Sequence, residues 1–347
     1  MKAGTKTPVL VAMSGGVDSS VAAALLLEAG YAVTGVTLKL WGGESDSGCC
    51  AVSDVEDARR VAHRLGIDHH VFNFGQEFND HVIDPYVAAY DAGRTPNPCI
   101  ECNRHIKFDK LLRRADALGF ELLATGHHAA VNVLADGSRR ISRGADTAKD
   151  QSYVLYMLDQ AVLGRLLLPL GAMTKDRVRE LAHELGLVTA AKPDSQDVCF
   201  IHSDGGRRAF LGDRIPLTPA TIVDRSGQTL GRTETVQLVT IGQRKGLGLA
   251  GNDNRNYVVD IDRTAGVVTV GPESETFVET TELTDVGWTA PVAEGRYLVQ
   301  CSAHGSCLPG TIAGTTITWD TSHRRVASGQ AVVFYDGPHV VGGAIAA

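Results

Sequence analysis

Two stretches hold residue types that do chemistry together, and a third adds a thiol. In the first, Met13-Ser14-Gly15-Gly16-Val17-Asp18-Ser19-Ser20, paired glycines separate an apolar run, Val9 to Met13, from an apolar-periodic segment beginning at Ser19. Glycine reaches backbone conformations closed to other residues, so successive amide N–H groups can converge on one anion. A helix starting directly afterwards adds free donors and the positive end of its dipole. Ser14, Ser19 and Ser20 can add hydroxyl donors. Asp18 has the wrong sign for a phosphate unless it holds a cation or orients the loop. The chemistry expected here is the binding of pyrophosphate with a magnesium ion, and not in the Walker manner, because no lysine follows the glycines.

The second stretch is Thr95-Pro96-Asn97-Pro98-Cys99-Ile100-Glu101-Cys102-Asn103. Asn97 suits a helix N-cap and Pro98 the first helical position, which predicts Cys99 and Cys102 in a first turn, three residues apart on one face. A thiol there is favoured as thiolate by the helix dipole and by Arg104 and Lys107. Cys199, in Ala191-Lys192-Pro193-Asp194-Ser195-Gln196-Asp197-Val198-Cys199-Phe200, lies in a polar loop.

The elements that must position these groups follow from periodicity. Val9 to Met13 reads as a strand, Ser19 to Ala29 as a helix ended by Gly30, Ala32 to Leu38 as a strand, Val52 to Leu65 as a helix, His70 to Phe74 as a strand, and Glu121 to Thr125 as a fourth strand ending in Gly126-His127-His128. Alternation of this kind predicts an α/β fold with a doubly wound parallel sheet and ligands at the carboxyl ends of its strands. Leu38 is then a candidate neighbour of adenine, and Gly126 could let a nucleotide approach the backbone closely. Ala130 to Arg143 reads as a hairpin turning at Asp136-Gly137. After Lys149-Asp150-Gln151-Ser152, helices are expected over Tyr153 to Leu163 and Thr174 to Leu185, the second closed by Gly186. Beyond Gly205-Gly206 the texture turns to short β-rich runs, with an exposed basic loop, Thr240 to Gly248, and a closed barrel over Thr281 to Ile345. Domains are expected at 1–205, 206–278 and 279–347.

A chain of 347 residues is too long for one ordinary core. No apolar run approaches a membrane span, and Met1 to Pro8 lacks the apolar centre of a secretory leader, so a cytoplasmic location is expected, with no membrane partner; a monomer in solution is also expected. Seven cysteines, an odd number, argue for thiol or metal chemistry over a disulfide scaffold. The net charge is −7, yet between Arg94 and Arg114 six Lys or Arg face two acids, and Arg139, Arg140 and Arg143 lie close together. A polyanion can dock on such local patches.

The SGGVDS loop resembles that of the PP-loop ATP pyrophosphatases. Together with NPCIECN, GHH, KDQSY, DSQDVCF and TIGQRKGLG, in that order along nearly the whole chain, it resembles the bacterial tRNA-specific 2-thiouridylases. The resemblance implies an adenine nucleotide alpha-hydrolase-like catalytic domain, a small β-rich central domain and a C-terminal β-barrel. It implies ATP-dependent thiolation of C2 of the wobble uridine in tRNAs for lysine, glutamate and glutamine. ATP would be bound by Ala12, Met13, Ser14, Gly15, Gly16, Val17, Asp18, Ser19, Leu38 and Gly126. Asn97, Pro98 and Cys99 would surround the uracil, and His127, Lys149, Asp150, Gln151 and Gln330 would contact tRNA. Cys199 would carry a persulfide supplied by a cysteine desulfurase or a relay protein, and Cys102 would be its thiol partner. Three departures stand out. Cys99 stands where many members carry an Asp, the proposed base. The usual histidine of GxHxG is missing from Gly231 to Thr235, and the expected Arg-Tyr pair is replaced near Ser302-Ala303.

Alternatives remain open at the level of sequence. Cys99, Cys102 and Cys199 could instead hold a four-iron four-sulfur cluster with one open position. The enzyme could be another PP-loop adenylating synthetase that attacks with nitrogen. It could also be an RNA-binding or sulfur-carrier protein without turnover, which the intact Gly15, Gly16 and Asp18 argue against.

Overall fold

Val9, Leu10 and Val11 of the first strand, β1 (Pro8–Ala12), are fully buried because the strand is covered on both faces, as a central parallel strand must be. The structure, a computed structural model, describes residues 6–40, 52–194, 198–201, 205–249, 256–289 and 294–347. Met1 to Thr5 and Ser195 to Asp197, parts of two stretches singled out above, lie outside the described residues.

β1 pairs in parallel with β2 (Ala32–Lys39) on one side and with β4 (Leu122–Thr125) on the other; β3 (Asp68–Asn73) and the short β7 (Leu166–Leu167) complete the order β3-β2-β1-β4-β7. The connections leave β1 and β4 in opposite directions along the sheet, so the crevice between their carboxyl ends is the expected ligand position. Alternation sorts the core into two layers. Leu10, Val36 and Leu38 face a cluster containing Phe78, Tyr86, Ile100, Cys102 and Phe200. Val9, Val11 and Met13 face the cluster made with helices α1 (Val17–Glu28) and α2 (Val52–Leu65) and the helix Lys175–Glu184.

Several expectations need correction. Helix α1 begins at Val17, two residues before Ser19, so Asp18 sits in its first turn. Tyr153 to Leu163 is not one helix. A 3-10 turn at Ser152–Leu155 is followed by a separate helical turn, Gln160–Leu163, because the Asp159 side chain accepts from Val162 N at 2.9 Å and starts a new helix end. The helix opened by Pro98–Glu101 passes into wide π turns over Cys102–Lys110 before closing as Leu111–Ala117. Such widened turns are rare and concentrate at functional sites.

The hairpin β5 (Ala129–Val133) and β6 (Arg139–Arg143) turns where expected but belongs to a different sheet. The C-terminal strands β12 (Phe277–Trp288), β13 (Gly295–Gln300), β14 (Leu308–Ala313), β15 (Thr316–Arg324), β16 (Ala331–Asp336) and β17 (His339–Ala346) close into a six-stranded barrel through the β12–β17 pairing. β6 adds to β17, with Ser142 Oγ 2.6 Å from His339 Nδ1. Tyr153 and Ser152 reinforce the junction by bonding to Ala331 O and Tyr335 OH, at 2.7 and 3.0 Å. Between the two units, β8 (Ala220–Val223), β9 (Thr229–Thr233), β10 (Tyr257–Asp262) and β11 (Val267–Gly271) form a small four-stranded sheet, order β10-β11-β8-β9. Among the described residues, no helix is long and apolar enough to cross a membrane.

Candidate nucleotide and thiol site

The glycine-rich loop owes its shape to a position that tolerates no side chain. Gly15 has φ +74°, and a Cβ there would run into the Asp54 carbonyl at the start of α2. Ser14 is exposed, its N–H donating to Ser19 Oγ at 3.1 Å; Ser19 Oγ in turn donates to Gly16 O at 3.2 Å. Ser20 is fully buried and committed to the fold, donating to Gly16 O at 2.8 Å and accepting from Thr189 Oγ1 at 3.1 Å. It therefore offers no hydroxyl to an anion, contrary to expectation.

Gly126, at the end of β4, has a different reason to be glycine from the one the sequence suggested. A Cβ at this position would lie 2.6 Å from Ser19 N and 2.7 Å from Asp18 C, so the space it leaves is filled by the first turn of α1. Gly126→Ala is expected to push that turn out of place and cost about 1–3 kcal/mol through overpacking. The measurement is a lowered thermal midpoint together with weaker ATP binding. Unchanged values of both would remove the packing role.

Asp18 is the electrostatic centre of the loop. Both its carboxylate oxygens accept from Lys175 Nζ at 2.7 Å, and Oδ1 lies 3.1 Å from His128 Nε2. Burial works to raise the Asp18 pKa, but the bonds from His128 and Lys175 outweigh it and hold the carboxyl below its ordinary value. Since a carboxylate only accepts, His128 Nε2 carries the shared proton; its Nδ1 is buried with no partner among the described residues. Lys175 is itself buried, at the first position of its helix, and reaches Asp194 at 2.9 Å. Asp194 also takes Lys149 at 2.8 Å and Arg179 at 2.6 Å. Burial opposes ionisation of Asp194 as well, yet the bonds from Lys149 and Lys175 lower its pKa to about 2.

A folded pKa below the unfolded one contributes stability that is complete above the ordinary aspartate value, about 3.9, and fades as pH falls through the folded value. Acid titration of the near-ultraviolet signal is therefore expected to show Asp18→Asn and Asp194→Asn proteins less stable than the parent at neutral pH. The Asp194 gap should close only as pH drops toward about 2, and the Asp18 gap only below the ordinary aspartate range. A gap independent of pH would contradict the ion-pair account.

The thiols lie on the opposite face of the sheet. Asn97 does cap the helix, its Oδ1 accepting from Cys99 N at 3.0 Å, and Pro98 occupies the first position. Cys99 and Cys102 do not share an environment, however. Cys99 is exposed, whereas Cys102 is buried in the cluster around Ile100, Phe78 and Phe200. Cys199 is partly buried and packs against that same cluster. The two thiols thus border one core on the same face of the sheet. Among the described residues no three His, Cys, Asp or Glu side chains are grouped to hold a metal ion.

The remaining expected contacts divide. Lys149 and Gln151 are exposed. Asp150 is committed elsewhere, binding Arg143 at 2.7 Å and accepting from Gly144 N and Ser152 Oγ at 3.0 and 2.9 Å. His127 is buried against Phe108 and bonded to Thr125 Oγ1 at 2.7 Å. Burial first, then the Lys107 and His128 charges, push its pKa far down and keep it neutral. Neither side chain is presented to a partner. The Arg139, Arg140 and Arg143 patch dissolves too: Arg140 is buried, and Arg143 stacks over the Tyr335 ring at 3.9 Å while donating to Gln300 Oε1 at 2.8 Å. Gln330, from the barrel, follows Ser328, whose carbonyl accepts from Thr95 N at 2.7 Å. The barrel therefore meets the chain two residues before Asn97. Leu38 is buried on the same face as Cys102.

Three family models match the chain in tandem: the tRNA methyl transferase HUP domain over residues 7–203, the tRNA methyl transferase PRC-barrel domain over 208–272, and the aminomethyltransferase beta-barrel domain over 281–346. Relatives curated as tRNA-specific 2-thiouridylase MnmA are similar along their whole length. The protein of Chloroflexus aurantiacus is 48% identical, covering 96% of this chain and 97% of its own. That of Carboxydothermus hydrogenoformans is 46% identical, covering 96% of both chains. The chain belongs to the tRNA-specific 2-thiouridylase family. A third member, from Streptomyces coelicolor, is 44% identical, covering 97% of this chain and 93% of its own.

As a member of that family the chain is an enzyme of tRNA modification that uses ATP. In the sequence Lys175 belongs to no motif, and Asp194 shows only as part of a polar loop. The absence of a lysine after the glycines was the available signal, since a buried anionic group such as Asp18 needs a cation from somewhere.

Proposed function

We propose that the protein makes 2-thiouridine at the wobble position of tRNAs for lysine, glutamate and glutamine. The observation that supports this reading is that Cys102 and Cys199, far apart in the chain, both pack against the core cluster on one face of the parallel sheet. Full-length similarity to proteins named for the same activity supports it.

A uracil carbonyl oxygen is a poor leaving group. Attack of O2 on the α-phosphate of ATP releases pyrophosphate and leaves an O2-adenylate, from which AMP departs readily. The loop 12–19, with Gly126 behind it, would bind the nucleotide. Its single carboxylate, Asp18, is already engaged by Lys175 and His128, so a magnesium ion would be held chiefly by phosphate oxygens and water, and when bound would neutralise phosphate charge. Asn97, Pro98 and Cys99 would bound the uracil, with Lys149, Gln151 and Gln330 toward the tRNA.

Sulfur would arrive as a persulfide on Cys199, loaded by a cysteine desulfurase or relay protein. In one route the Cys102 thiolate attacks the inner sulfur of the persulfide. A Cys102–Cys199 disulfide forms, hydrosulfide leaves with the electron pair, and it adds to C2 as AMP is expelled; an external dithiol then reduces the disulfide. In the other route the terminal persulfide sulfur adds to C2, AMP leaves, and Cys102 cleaves the S–S bond to give the same disulfide. With Cys99 in place of the usual Asp, proton removal falls to Cys99 or to water. Domains at 1–205, 206–278 and 279–347 would act together, the β6–β17 pairing fixing the barrel beside Asn97.

The test is pyrophosphate release that needs tRNA, coupled to 2-thiouridine detected by nucleoside mass spectrometry. Release without tRNA, or with no new thionucleoside, would defeat the reading.

A further inference from the structure

The end of β4 forms a wall of the nucleotide loop. Gly126 lies so close to the first turn of α1 that a Cβ would sit 2.6 Å from Ser19 N, and two residues on, His128 Nε2 lies 3.1 Å from Asp18 Oδ1. The segment 126–128 therefore touches that turn twice. Its other side is clasped by one residue. Gln151 Oε1 accepts from His128 N and Gln151 N donates to His128 O, both at 2.9 Å, so both backbone polar groups of His128 are satisfied by Gln151. Gly144 closes the same spot, where a Cβ would lie 2.6 Å from His128 O. Asp150 fixes the clasp in turn, accepting from Gly144 N at 3.0 Å and Ser152 N at 3.1 Å.

Gln151 itself is exposed, and its Nε2 has no hydrogen-bond partner among the described residues. His128 is the reverse, 3% exposed, with Nε2 committed to Asp18 and Nδ1 without a partner. A path of direct hydrogen bonds thus runs from an open amide to the carboxylate of the anion-binding turn, through one intervening residue. An exposed long side chain keeps rotamer freedom, which a ligand that fixes it removes. A second ligand that needs the same segment held still does not meet that cost again, and the two bind with positive coupling. We propose that Gln151 and His128 are positioning residues that couple tRNA binding to nucleotide binding: RNA taking the Gln151 amide steadies the His128 peptide, and His128 holds the turn carrying Asp18 in its nucleotide-binding arrangement. The inference rests on the reading given under Proposed function, which puts Gln151 toward the tRNA.

The decisive quantity is a coupling factor, the ratio of the dissociation constants of one ligand without and with the other. Calorimetry on the full-length protein measures it with unmodified tRNA and the magnesium complex of an ATP analogue whose α and β phosphorus atoms are bridged by methylene. In the parent, tRNA should tighten the analogue at least about fivefold, and the analogue should tighten tRNA by the same factor. His128→Phe keeps a ring without a donor and should bring the factor close to one. His128→Gln restores an N–H at the place of Nε2 and should recover most of it. Gln151→Leu acts from the exposed end and should also lower the factor; it serves if His128→Phe does not fold. A merely structural role would weaken the analogue equally with and without tRNA. A factor left intact in this way overturns the proposal, as does a factor of one in a parent that binds both ligands. A parent that binds no tRNA defeats the functional reading itself, so the two failures are distinguishable.

Discussion

Cys199→Ser is expected to abolish 2-thiouridine formation while tRNA-dependent pyrophosphate release remains measurable. The substitution is nearly isosteric at a partly buried position, so the core around Phe200, Phe78 and Cys102 should persist. What disappears is the capacity to hold a sulfane sulfur, because a hydroxyl cannot form the S–S bond from which sulfide is released. In the proposed reading, adenylation would draw on groups in the loop after β1, at Gly15, Gly16 and Asp18, and Asp18 is held by Lys175 and His128, not by that thiol. Retained 2-thiouridine by nucleoside mass spectrometry would remove Cys199 from the reaction. Loss of both products with an unfolded circular dichroism spectrum would show only that the residue supports the core, and Cys199→Ala then separates the two.

The second large effect falls on the other half-reaction. Asp18→Ala is expected to eliminate pyrophosphate release, by two to three orders of magnitude or more, the scale on which removing a preorganised charged group at a reacting phosphate acts. Asp18 is where the charges of Lys175 and His128 converge, so its loss leaves a buried lysine with Asp194 alone and a histidine with no partner on either ring nitrogen. Breaking one side of a buried pair costs about 3–5 kcal/mol, reduced here because roughly a third of the Asp18 side chain is open to solvent. Asp18→Asn preserves shape and distinguishes chemistry from stability: a folded Asn variant with normal pyrophosphate release would disprove the role. In both Asp18 variants 2-thiouridine should vanish along with pyrophosphate, the opposite pattern to Cys199→Ser.

Local chemistry made much of this protein legible in its sequence. The strand, loop and helix around Gly15-Gly16, the Asn97 cap with Pro98 behind it, the hairpin turn at Asp136-Gly137 and the helix closed by Gly186 all depend on residues within a few positions of one another. Backbone conformation at such places is set by glycine, proline and short polar side chains. Where the structure differs, a specific polar partner or the pairing of a distant strand had intervened. Asp159 restarted a helix that hydrophobic spacing alone would continue. Asp150 and His127, polar and apparently available, were claimed by Arg143 and Thr125. The arginine cluster at 139–143 went inward because β6 became part of the barrel sheet.

By itself, then, the sequence pointed to a class of chemistry, an anion-binding loop plus reactive thiols, and to the parallel order that places the loop at the carboxyl end of a central strand. Tertiary structure decided which charges meet there. Lys175 supplies the cation missing beside the glycines, Asp194 shares it, and Cys102 and Cys199 arrive on one core face from positions 97 residues apart. The physical reason is that a buried charge must find a partner and an apolar side chain must find cover, wherever in the chain these lie. Spacing along the chain carries no record of which partner the fold will bring.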